Sequence, residues 1–130
     1  VSLRLEGSLR RHPSTTQRRA HDFAHPSEVT FSRLLDLYEI RWVYEPTEFP
    51  LSWHPDGRPS AAFRPDFYLP DFGEFLELTT AEGRLATRKN AKIRRFRALY
   101  PEIALTLIGH RQFGELCERH RLQPNHPLAA

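Results

Sequence analysis

The 130-residue sequence predicts an α/β domain with an αβββαβ core, a mixed central sheet flanked by helices. Three observations predict it. An amphipathic helix comes first, strand-like segments rich in aromatics follow, and a second helix separates the last hairpin strand from one more apolar strand. A helix between two strands of one sheet implies a crossover and a parallel pair, whereas a hairpin gives an antiparallel one.

The elements follow in chain order. "HPSEVTFSRLLDLYEIRW" opens with helix-start chemistry, with Pro26 in the first turn and Ser27 or His25 at the cap. Phe31, Leu34, Leu35 and Tyr38 keep helical spacing, and Glu28 falls at the edge of their stripe, toward the core. "RWVYE" (41–45) and "FPLSW" (49–53) read as strand segments broken by Pro46, and "HPDG" (54–57) as a turn. "AAFRPDFYL" (61–69) and "GEFLELT" (73–79) read as strands joined at Pro70-Asp71-Phe72. "RLATRKNAKIRRFRALY" (84–100) is a basic amphipathic helix that ends before Pro101. "EIALTLIG" (102–109) is an apolar strand, and "RQFGELCERH" (111–120) a short last helix.

Around this domain, taken as 21–122, we expect a basic flexible arm (1–20) and an irregular tail (123–130). The arm holds five arginines, Arg18 and Arg19 among them, against Glu6. That leaves the rest of the chain near neutrality in a total of +3. Such an arm gathers phosphates without reading sequence. A single cysteine, Cys117, excludes an internal disulfide and suggests a reducing, cytoplasmic setting. No apolar run reaches membrane-span length, so no membrane partner is expected. A chain that starts at Val1 and contains no methionine reads as processed or excised from something longer.

The chemistry lies in "RPDFYLPDFGEFLELTT". A two-residue or a four-residue turn gives the same register, in which Leu69 faces Glu74, Tyr68 faces Phe75 and Asp66 faces Glu77. Opposed Cβ atoms lie about 5 Å apart, so two acids there repel unless a cation sits between them. A divalent ion with hard oxygen ligands is the simplest such cation. The alternative is a pair of solvated acids on an exposed sheet face.

An inward Glu28, "PDF" at Pro65–Phe67, then "ELT" at Glu77–Thr79 with ten residues between Asp66 and Glu77, and a basic helix resemble the PD-(D/E)xK, restriction-endonuclease-like nuclease superfamily. The layout is most similar to junction-resolving endonucleases, mismatch-repair nicking enzymes and transposase nuclease subunits. The resemblance covers residues 23 to 113. It implies magnesium, replaceable by manganese, on Asp66, Glu77 and the Leu78 carbonyl, with Glu28 as an accessory acid or second metal ligand.

The family motif ends in lysine where this sequence has Thr79, which cannot carry positive charge. The chain has 17 arginines and only two lysines, Lys89 and Lys92, both in the helix after the motif. With Phe96 at the centre of the apolar face, Lys89 projects about 20° to one side and Lys92 about 40° to the other. Both are therefore expected to point inward. Lysine is a compact cation whose pKa responds to burial, unlike arginine. Lys89, with Lys92 as second choice, is the candidate replacement for the motif lysine. The opposing expectation is that the stems pack on the core while the ammonium groups reach water.

The expected activity is metal-dependent hydrolysis of DNA phosphodiesters, selective for structure rather than sequence. Arg64, Arg84, Arg88 and the arm would hold phosphates. A homodimer or a partner domain fits such an enzyme. The alternatives are a catalytically inactive DNA- or protein-binding module of the same fold and an RNA-processing nuclease. Other constellations are weaker. His21 and His25 are spaced for a zinc pair but adjoin Pro26. Cys117 reads as core, and Trp42, Tyr44, Phe49 and Trp53 as core before base-stacking surfaces.

Overall fold

The computed structural model describes residues 23–80 and 83–122. The arm, including Arg18, Arg19 and His21, and the tail lie outside the described residues. Helix α1 (Pro26–Leu37) is capped by His25, whose imidazole accepts the Ser27 N–H at 3.1 Å. Six strands follow: β1 (Val43–Tyr44), β2 (Phe49–Trp53), β3 (Pro59–Phe63), β4 (Phe67–Leu69), β5 (Glu74–Thr79) and β6 (Leu105–Gly109). Helix α2 (Arg84–Leu99) lies between β5 and β6, and α3 (His110–Arg119) follows β6.

The fold is α/β. A four-stranded sheet runs β1-β4-β5-β6, antiparallel except for the β5–β6 pair. The crossover through α2 makes that pair parallel. Strands β2 and β3 form a separate antiparallel hairpin. The β4–β5 register has Leu69 opposite Glu74 and Tyr68 opposite Phe75. The turn is four residues long, with both Phe72 N–H and Gly73 N–H donating to Leu69 O.

One expectation is corrected. Residues 61–69 are not one strand. The chain breaks at Arg64-Pro65-Asp66, so 59–63 pairs with β2 while 67–69 joins the main sheet. Pro65 has no N–H for a ladder and marks the break.

Period-two alternation sends side chains to both faces of the sheet, and each face is covered. On one face, α1 and α3 pack Phe31, Leu34, Phe113 and Cys117 against Tyr44, Phe67, Leu69, Leu76 and Leu78. On the other, α2 and the β2–β3 hairpin pack Ile93, Phe96, Phe49 and Phe63 against Val43, Tyr68, Phe75 and Leu105. Phe67 and Phe96 are fully buried, each at the centre of an aromatic group. Phe67 meets Phe31, Trp42 and Tyr44, and Phe96 meets Phe49, Phe63 and Tyr100. No helix among the described residues is long and apolar enough to cross a membrane.

Candidate metal and active site

The break before β4 positions Asp66. With the ladder ending at Phe67, the two acids supply the next hydrogen bonds themselves. Asp66 N–H donates to Glu77 Oε1 at 2.9 Å, and Leu78 N–H donates to Asp66 Oδ2 at 2.9 Å. Asp66 is 5% exposed and Glu77 3%. Burial, then the charges of Glu77 and Glu28, hold the Asp66 carboxyl well above the usual carboxylate range. Burial also raises Glu77, although the Lys89 ammonium pulls it back.

Glu28, in the first turn of α1, is 7% exposed. Its Oε1 accepts a short hydrogen bond from the Tyr44 hydroxyl, which in turn accepts the Ala24 N–H at 2.9 Å. Burial, and then the bond to Glu28, push the Tyr44 phenol above its ordinary value.

The next residue, Glu45, was not singled out by its sequence position. Its backbone is left-handed (φ 44°), a conformation that favours glycine. Its N–H donates to Asp66 O at 2.9 Å. One carboxylate oxygen from each of Glu28, Glu45 and Asp66 lies within 4.8 Å of the other two. Glu45 left no signal in the sequence, because its place depends on a backbone turn and on a contact with the chain at residue 66.

Lys89 reaches Glu77 from α2. Its Nζ is 2.8 Å from Glu77 Oε2 and donates to Leu78 O, also at 2.8 Å. Burial works against the ammonium, yet the charge and hydrogen bond of Glu77, with the charges of Asp66 and Glu28, outweigh it, so the Lys89 pKa ends above its ordinary value. Glu77 and the Leu78 carbonyl, read from sequence as metal ligands, thus both hold the ammonium here.

Lys92 departs from its expected inward direction. It is exposed, and its Nζ donates to Ala62 O at 2.9 Å. A helical azimuth fixes where the stem starts, and four methylenes let the charge leave the core. Thr79 Oγ1 donates to Ile108 O at 3.3 Å. Arg64 Nη2 meets Glu48 at 3.2 Å. Arg84 and Arg88 are exposed on α2. A cleft of about 300 Å³ opens over Glu77 and Lys89, lined by these two with Phe63, Arg64, Arg88 and Lys92.

The other candidates have structural places. His25 caps α1. Cys117, Trp42, Tyr44 and Phe49 are buried, and Trp53 is half-exposed.

The donor set suits a hard divalent cation. Magnesium takes oxygen ligands at about 2.0–2.1 Å in an octahedron, and calcium takes them at longer range. Three carboxylate oxygens within 4.8 Å of one another are the kind of hard donor such an ion takes. The ammonium of Lys89 meets Glu77, whereas Glu28 and Asp66, both buried, group with the half-buried Glu45. Buried acids brought together are eased by a counter-charge or a proton.

Comparisons of the chain with protein-family models, curated proteins and solved structures return no match.

Proposed function

We propose that this chain is a divalent-metal-dependent endonuclease of the PD-(D/E)xK type that hydrolyses DNA phosphodiesters and takes its lysine from α2 rather than from the motif strand. The observation that carries this reading is the Lys89 ammonium, 2.8 Å from Glu77 and near enough to feel the charges of Asp66 and Glu28, which group with Glu45. A cation, buried acids and an open basic cleft are what phosphoryl transfer to water requires.

Glu28, Glu45 and Asp66 would hold the metal, which when bound supplies Lewis-acid polarisation of the phosphate and a more acidic water. Lys89 stabilises the negative charge that develops on the phosphate oxygens. Glu77 aims Lys89, as the contact between them shows the ammonium held from one side. Tyr44 fixes the rotamer of Glu28 through its hydroxyl. Arg64, Arg88 and Lys92, at the rim, hold flanking phosphates. Thr79, tied to β6, takes no part.

The second reading is an inactive binding module. It draws on Thr79 at the motif-lysine position, and on the two backbone N–H groups that already engage Asp66 and Glu77. One assay separates the two. Supercoiled, branched and single-stranded DNA are incubated with magnesium or manganese and with wild type, Asp66→Asn, Lys89→Ala or Lys92→Ala. Cleavage by wild type that Asp66→Asn and Lys89→Ala abolish, with DNA binding retained, supports the enzyme. DNA binding by wild type with no cleavage in either metal supports the module.

A further inference from the structure

Helix α2 carries seven cationic side chains and no acid, in a chain whose net charge is only +3. Among the described residues, only Lys89 of the seven forms a salt bridge. Several of the others rest on main-chain carbonyls: Lys92 on Ala62, Arg95 on Leu51 and Arg97 on Leu105. A neutral carbonyl leaves a cation's charge unspent, so a phosphate would be a better partner.

These cations are ordered in space. Arg88, Lys92 and Arg95 follow one another at helical spacing, so they form a stripe on one side of α2. Steps of four and three residues advance about 6 and 4.5 Å along the axis. Those steps suit successive phosphates of one strand and fall short of the roughly 12 Å major groove that separates two. At the head of the same stripe stands Leu85, 66% exposed. An apolar side chain among cations matches a polymer that offers both phosphates and open base faces. A duplex hides those faces, and an unpaired strand presents them.

The depth of the site argues in the same direction. The carboxylates of Glu28, Asp66 and Glu77 are between 3% and 7% exposed. The cleft above Glu77, about 300 Å³, is at the small-ligand end of the pocket scale. A nucleotide fits there, and a flexible single strand can lower a phosphate into it, whereas a stiff duplex must bend or fray to follow.

We propose that α2 is the track for an unpaired DNA strand, with Arg88, Lys92 and Arg95 on its phosphates, Leu85 against a base, and the strand dipping into the cleft at Lys89. The dip rests on the nuclease reading above, whereas the track follows from the charges and spacing alone.

The test is fluorescence anisotropy in EDTA with a labelled oligothymidylate and a blunt duplex of the same length. Wild type is expected to bind the single strand roughly tenfold or more tightly than the duplex, since a stiff duplex must bend or fray to follow α2 into the cleft. For single strands the salt slope is about −0.7 per phosphate contact, so Arg88→Gln, Lys92→Gln and Arg95→Gln combined should flatten it by about 2. Leu85→Asn should weaken oligothymidylate binding without changing the slope. Arg33→Gln, an exposed site on α1, should change neither. Equal or tighter duplex binding overturns the proposal, as does an unchanged slope in the triple variant or an effect of Arg33→Gln equal to the others. Adding manganese separates this inference from the nuclease reading. Strand-selective binding without cleavage leaves the track standing and removes the nuclease, whereas cleavage with a duplex preference does the reverse.

Discussion

Replacing Lys89 with methionine keeps the stem and deletes the charge. Glu77, 3% exposed, would then lose the ammonium at 2.8 Å, and Leu78 O would lose a donor. Breaking a buried pair by removing one partner costs about 3–5 kcal/mol. The Lys89 side chain is 30% exposed, so water screens part of the interaction and the lower end applies, about 3 kcal/mol. For a domain near this size each kcal/mol moves the midpoint by about 4 °C, so Tm should fall by about 12 °C. The deficit depends on pH. It arises from an ionised Glu77, whose carboxyl burial already raises above its ordinary 4.5 and which loss of Lys89 raises further. Lowering the pH protonates Glu77 and should shrink the difference between the two proteins. The assay is thermal unfolding by circular dichroism in EDTA, at about pH 8 and about pH 5. A Tm within about 2 °C of wild type at the higher pH, or an equal deficit at both, would refute the claim that this charge compensates Glu77. In the cleavage assay the same variant should lose a factor of about 10²–10³, the usual effect of removing one group that stabilises transition-state charge.

Three further outcomes follow from the same geometry. Asp66 has a folded pKa above its unfolded 3.8, so the stability linked to its proton is fully present below that value and is lost as pH rises through the folded one. Asp66→Asn should therefore be at least as stable as wild type in EDTA near neutral pH, with a flatter pH profile; on the proposed metal reading, manganese should raise the Tm of wild type and leave that of Asp66→Asn unchanged. Tyr44→Phe removes the donor to Glu28 and the acceptor for Ala24 N–H. It should cost about 2 kcal/mol in denaturant unfolding and weaken manganese binding read by calorimetry. Phe96→Ala, at the fully buried centre of the α2-side core, should cost about 3–5 kcal/mol in the same unfolding assay.

Much of the layout was legible in the sequence because local rules and global packing agree there. The 69–74 pairing needed only a turn length, and the helical period placed Lys89 on the buried side of α2. The same period failed for Lys92, since an azimuth says nothing about where a long flexible stem ends. The break at Pro65 had a signal that a continuous apolar pattern masked. Glu45 had none. Its approach to Glu28 and Asp66 depends on a left-handed residue and on the pairing of β1 with β4, and a pattern of residue types encodes neither.

That left-handed residue has a consequence for engineering. At position 45 the main chain favours glycine, and a side chain there costs about 1–2 kcal/mol. Glu45→Gly should therefore relieve that backbone cost while removing one wall of the acid pocket. Variants sorted for heat resistance alone would be drawn toward it at the expense of the proposed ion ligand.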